Sequence, residues 1–179
     1  GFDFNPAVDR IRVTTSTGLN FRMNQITGAA VDGDTVGLGT NPDGAINGSS
    51  VTGVSGAAYT NSVAGTAVTT LYALSDAGSQ LTIQNAPNAG TQTVPLTVRL
   101  GGTTLVFTSV NGFDIPSDVR VSANNAAVTS GSGFAALTVA GVTSLYRIDL
   151  ATGAATNLGA VGSGAAALRG LTVGQTHAR

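Results

Sequence analysis

Two well-separated stretches of this chain spell nearly the same hairpin. Asn20–Ala30 reads NFRMNQITGAA and Leu145–Ala155 reads LYRIDLATGAA. Phe21 falls on Tyr146, Arg22 on Arg147, Met23 on Ile148 and Asn24 on Asp149, ahead of a shared Thr-Gly-Ala-Ala. A fainter copy, QLTIQNAPNAGTQ at Gln80–Gln92, puts Ile83, Asn85 and Gly90 in the places of Met23, Asn24 and Gly28. The turn glycines Gly28, Gly90 and Gly153 then recur about every 60 residues, the mark of a chain built from repeated supersecondary units. Upstream, GFDF…DRIRV (Gly1–Val13) resembles GFDI…DVRV (Gly112–Val121), with a shorter gap.

Each unit reads as four short strands, because apolar and polar residues alternate over a few positions between Gly- and Asx-rich turns. The units are about 1–50, 51–105 and 106–165, and LRGLTV at 168–173 starts a fourth unit or closes a ring. This pattern predicts an all-β, β-propeller-like domain of about three four-stranded antiparallel units, with the ring left incomplete. Leu71, Leu74, Leu145 and Ile148 are expected to fill the space between sheets. A β-sandwich uses the same strand patterns and is the alternative. Val31–Ser50 carries several turn signals and few large apolar residues, so it is expected to be a long surface loop. Asn124–Gly133 reads as a second connection.

Composition supports strands over helices. All the basic residues are Arg and all the acidic ones Asp, and the polar filling is Thr, Ser, Asn and Gly. Helix surfaces normally draw on Glu and Lys, whereas Thr suits strands and Ser, Asn and Gly suit turns. At 179 residues and 42% hydrophobic, the chain can bury a real core. A net charge of −1 gives no footprint for nucleic acid or an anionic membrane. No apolar run reaches the roughly 20 residues that cross a bilayer as a helix. Without cysteine there is neither disulfide nor thiolate metal site. The first residue is Gly rather than Met, and a cleaved export signal is one explanation.

Taken in order, GFDFNPAVDRIRV, GLNFRMNQITGA, AAYTNS, TTLYAL, NGFDI, YRIDLATGAATNLG and RGLTV resemble an uncharacterised bacterial domain family of unknown function. The resemblance covers essentially the whole chain. It implies a propeller-like fold and an exported, periplasmic or extracellular setting. Members of that family carry further hairpins ahead of the GFDFNP motif, which puts ring closure in question. The family supplies no catalytic residue.

The residues themselves also assign no catalytic, cofactor or metal role. His177, the sole histidine, lies near the carboxyl end of the sequence and reads as a mobile tail residue rather than part of a triad or metal site. No Gly-x-Ser-x-Gly elbow, P-loop or dinucleotide fingerprint is present. Asp32, Asp34 and Asp43 in the long loop are candidate calcium ligands, with ordinary Asx turns as the simpler reading. Asp3, Asp9, Asp114 and Asp118 fall in matching repeat positions beside Arg10, Arg12 and Arg120. Paired carboxylates can serve a glycosidase, but recurrence favours a structural role, either anchoring turns or pairing with Arg. Arg22 and Arg147 are expected to lay their stems on neighbouring strands while their heads reach solvent or Asp. Tyr59, Tyr72, Tyr146 and the phenylalanines offer a sugar-stacking surface, but read mostly as core.

The functional expectation is a non-enzymatic structural or protein-interaction module outside the cytoplasm, docking on a larger envelope or membrane-bound assembly. It needs no cofactor. Alternatives are a carbohydrate- or small-ligand-binding propeller and a glycoside hydrolase using paired Asp.

Overall fold

A computed structural model of the chain describes residues 1–34 and 36–174. Its strands form two four-stranded antiparallel sheets and one mixed six-stranded sheet, none closed into a barrel. The arrangement is all-β and compatible with propeller-like or sandwich packing.

Sheet 1 is a meander of β1 (Phe2–Asn5), β2 (Arg10–Thr14), β3 (Asn20–Asn24) and β4 (Ala30–Val31). Sheet 2 repeats that order with β5 (Gly56–Tyr59), β6 (Leu71–Ser75), β7 (Gln80–Gln84) and β8 (Gln92–Thr97). Sheet 3 contains β11 (Ser109–Asp114), β12 (Ser132–Val139), β13 (Val142–Asp149) and β14 (Ala154–Ala160). Its outer edge is extended by a short hairpin, β9 (Arg99–Leu100) and β10 (Thr103–Thr104), whose β9 pairs in parallel with β14. The chain leaving sheet 2 thus lends its next hairpin to sheet 3.

The hairpin turns explain why the sheets form where the sequence repeats. Asn24 Oδ1 accepts the N–H groups of Ile26 and Thr27, and Thr27 Oγ1 accepts that of Ala29. Asp149 Oδ1 does the same for Ala151 and Thr152, and Thr152 Oγ1 for Ala154. The glycines that close these turns sit at φ 69° (Gly28) and 77° (Gly153), a region that non-Gly side chains seldom adopt. Gly90 has φ 70° but follows a 3-10 turn at Pro87–Ala89, so the third turn has a different build.

The first strands of the three sheets lie side by side, β1 against β5 and β5 against β11. The largest apolar cluster fills the space between sheets 2 and 3. It joins Ala58, Tyr72, Leu74, Leu81 and Ile83 to Phe113, Ile115, Leu137, Tyr146 and Ile148. Leu71, Leu74 and Ile148 are fully buried as expected, while Leu145 is only half-buried. Within β13, Tyr146 and Ile148 face the core and Arg147 faces solvent.

Three expectations need correction. Residues 168–173 form no strand, although Val173 N–H reaches back to Asp114. Asp9 and Asp118 are not equivalent. Arg10–Thr14 is a strand paired with β1, whereas Asp118–Val121 is irregular. The cause is Asn61, whose side chain brackets Val121 by accepting its N–H at 2.8 Å and donating to its carbonyl at 3.0 Å. That grip holds the segment between sheets 2 and 3, outside any ladder. Phe2 and Phe4 are not core: they are 58% and 52% exposed.

Candidate functional site

Two clusters of polar residues stand out, one beside the first strands and one between sheets 1 and 2. In the first, Asp3, Asp9 and Asp114 line a common cavity with Ser62 and Ser117. Asp3 and Asp114 occupy the same place in GFDF and GFDI, and their bonds match. Asp3 Oδ1 accepts its neighbour Phe4 N–H at 2.8 Å, and its Oδ2 accepts Tyr59 N–H of β5 at 2.6 Å. Asp114 Oδ1 accepts Ile115 N–H at 2.8 Å, and its Oδ2 accepts Val173 N–H at 2.6 Å. Each carboxylate therefore ties its own strand to a distant backbone, Asp3 to β5 and Asp114 to the irregular segment at Val173.

Burial is the main cause that pushes the Asp3 carboxyl up to about 7. The Asp114 charge adds to the rise, while the N–H groups of Tyr59 and Phe4 oppose it. A carboxyl titrating near neutrality is able to donate a proton at neutral pH. All four oxygens of the pair, however, already accept backbone N–H groups, which is the structural role that the recurrence of these residues suggests.

The second cluster centres on Asp43 of the long loop, whose side chain is fully buried. Arg12 Nη1 meets its Oδ2 at 2.6 Å. Arg22 grips it with two nitrogens, Nη2 to Oδ1 at 2.7 Å and Nε to Oδ2 at 2.9 Å. Arg12 also donates to Asn20 Oδ1 at 2.9 Å and to Asn88 Oδ1 at 2.6 Å, so one guanidinium spans sheet 1, the loop and the β7–β8 turn. Gln84 Nε2 reaches Asn20 Oδ1 from sheet 2. A buried ion pair survives desolvation only when its remaining donors and acceptors are met. Here the amides of Asn20 and Asn88 meet most of them, and Arg12 Nε is the buried donor of the cluster left without a partner among the described residues. Tyr59 lies against Arg12 and Asn5, and burial raises its phenol above the usual range.

The remaining sequence candidates separate. Asp32 and Asp34 hold turns, Asp32 Oδ1 accepting Asn41 N–H and Asp34 Oδ1 accepting Gly37 N–H. Asp43 is engaged by two arginines, so the three loop carboxylates do not act as one oxygen cage. Among the described residues no group of three or more His, Cys, Asp or Glu is placed to hold a metal ion. Arg22 reaches Asp43 as its stem-and-head reading expects, and Arg147 is exposed. Tyr59, Tyr72 and Tyr146 are buried. His177 lies outside the described residues. Sequence reasoning missed the Arg12–Asp43–Arg22 cluster, because nothing in a Pro-Asp-Gly turn signal announces a buried counter-ion. Among the described residues no helix is long and apolar enough to cross a membrane.

The model of one protein family, described as a domain of unknown function (DUF4394), matches residues 1–172. No curated protein and no solved structure matches the chain.

Proposed function

The chain belongs to the DUF4394 family, and we propose that it is a non-enzymatic structural and protein-interaction module outside the cytoplasm, docked on a larger envelope or membrane-bound assembly. The observation that carries this reading is the rear face of sheet 1. Strand register puts Phe2, Val13 and Phe21 on that face, with Phe4, Ile11 and Met23 beside them; Phe2 and Phe4 are exposed, Val13, Phe21 and Met23 half-buried and Ile11 buried. The two phenylalanines pack edge to face at 6.0 Å and stand largely in solvent. The contact with β5 comes from the opposite face, where Gly1 and Asp3 meet Ala57 and Tyr59.

Matching positions in sheet 3 indicate what such a face accepts. Phe113, Ile115, Tyr146 and Ile148 stand where sheet 1 has Phe2, Phe4, Phe21 and Met23, and they are buried against sheet 2. Their cover is a sheet surface of Ala58, Tyr72, Leu74, Leu81 and Ile83. The partner we expect therefore presents a β-sheet face of small aliphatic and aromatic side chains. Exposed contiguous apolar surface of this kind marks interaction sites. The row β1–β5–β11, continued by Val173, supports reading the three sheets as successive blades of an open propeller. The test is co-purification from native envelopes, compared between the wild type and Phe2→Ser/Phe4→Ser. Loss of one defined partner in the variant supports the proposal; a wild-type protein that stays a partner-free monomer overturns it.

One observation favours a second reading, a glycoside hydrolase: Asp3, titrating near 7, shares a cavity with Asp114. Activity on a glycoside panel that disappears in both Asp3→Asn and Asp114→Asn would establish it, and a silent panel would remove it.

A further inference from the structure

The cavity between sheets 1 and 2, about 560 Å³, is walled by Arg10, Arg12 and Arg22 and, among the described residues, by no carboxylate. Asp43 is bonded to Arg12 and Arg22 and offsets one of these charges. Asp9 lines the other cavity, beside Asp3 and Asp114. The walls therefore carry an excess of positive charge in a protein whose net charge is −1.

The hydrogen-bonding inventory is as one-sided as the charge. Asn5, Asn88 and Asn124 line the cavity, and the side-chain oxygen of each already accepts a bond, from Ala7 N–H, Arg12 and Thr69 N–H respectively. The Nδ2 groups of Asn88 and Asn124, Nη1 of Arg22 and Nη2 of Arg10 make no hydrogen bond among the described residues. Asn125 and Tyr59 add acceptor oxygens to the lining, so it is rich in donors rather than made of them alone, and a ligand that satisfies it must chiefly accept. Ala7, Val8, Ala67, Ala86 and Pro87 complete the wall with apolar surface. That surface and the volume suit a carbon skeleton better than a bare inorganic ion.

We propose that this cavity binds a small organic polycarboxylate, its oxygens received by Arg10, Arg22 and the asparagine amides and its carbon frame by the Ala-Val-Pro wall, with the buried Arg12 adding charge behind them. Arginine favours carboxylates because its planar fork donates two parallel bonds. Arg10 is the ligand-facing charge most open to test. Among the described residues its side chain's only hydrogen bond is to the neighbouring Asp9 carbonyl, so replacing it leaves the Asp43 cluster whole. Asn125 also lines the cavity, at φ 60°, a conformation that Asp tolerates as Asn does.

The experiment is calorimetric titration of the whole chain with citrate, inorganic phosphate and glucose. Citrate should bind with a Kd of about 1 mM or lower, more weakly as salt is raised, with phosphate and glucose at least about tenfold weaker. Arg10→Gln and Asn125→Asp, each checked for an unchanged circular dichroism spectrum, should each weaken citrate about tenfold. No citrate binding, phosphate binding as tight as citrate, or folded variants that bind like the wild type would each overturn the proposal.

Discussion

Asp3 Oδ2 accepts the backbone N–H of Tyr59 across 2.6 Å, joining the first strand of sheet 1 to the first strand of sheet 2. The contact uses a carboxylate where a ladder would use a carbonyl. Its strength therefore depends on the ionisation of one buried group.

That dependence has a sign. The Asp3 carboxyl lies at about 7 in the folded chain against an ordinary 3.8. Between those values the folded state holds a proton that the unfolded state has released, so this group's contribution to stability falls as pH rises from about 4 to about 7 and is flat above. Asp3→Asn removes the titration. Melting curves across this range should show the wild type losing more stability with rising pH than the variant does; parallel curves would contradict the assignment.

Asp43→Asn leaves two guanidiniums facing a neutral amide. Removing one member of a buried ion pair costs about 3–5 kcal/mol. The cost should appear in a urea melt as a lower midpoint, with sheet 1 and the long loop most affected. A midpoint within error of the wild type would mean that the amides around Arg12 suffice alone.

Gly28→Ala and Gly90→Ala test the same φ in two surroundings. Gly28 sits at φ 69° with open space around its missing side chain, so Ala should cost about 1 kcal/mol, the strain of the conformation alone. At Gly90 the added carbon would also meet the carbonyl oxygens of Ala45 and Gly44 at about 2.5 Å. There the loss should be clearly larger, on the order of 3 kcal/mol. Equal losses would place Gly90 in looser surroundings than the structure has.

Phe2→Ser/Phe4→Ser removes exposed aromatic surface with little internal contact. Thermal stability of the isolated chain should change by about 1 kcal/mol or less, while any association through the rear face of sheet 1 should weaken. A large drop in stability would show that the face is covered within the chain itself.

How far the sequence predicts this structure varies with the range of the interactions involved. Asn24, Thr27 and Gly28 announce their hairpin because the turn is built from their own side chains, and Asp149, Thr152 and Gly153 repeat it. Alternation in YRID foretells which side of β13 is buried, since a strand's period is two. The β9–β10 hairpin was not legible. Its four residues are exposed, and its parallel docking on β14 is a tertiary event. DRIRV and DVRV share letters but not structure, because Asn61, far away in sequence, holds Val121. Phe2 and Phe4 read as core because they are large aromatics, yet burial needs a neighbouring sheet that residue type cannot supply. Asp43 reads as a turn residue, while Arg12 and Arg22, distant along the chain, are its counter-ions.

The loan of β9 from sheet 2 to sheet 3 has a consequence for how the molecule opens. Sheets 2 and 3 share both a continuous apolar core and a backbone crossover, whereas sheet 1 is fastened mainly by Asp3 and the Arg12–Asp43–Arg22 cluster, and none of its strand residues belongs to the apolar clusters among the described residues. Polar fastenings can be rehydrated one at a time; a shared core must be lost together. Amide protons in β2 and β3 should therefore exchange with solvent deuterium through partial detachment of sheet 1, at lower denaturant and lower protection than those of β6, β7, β12 and β13, which should exchange as one cooperative block.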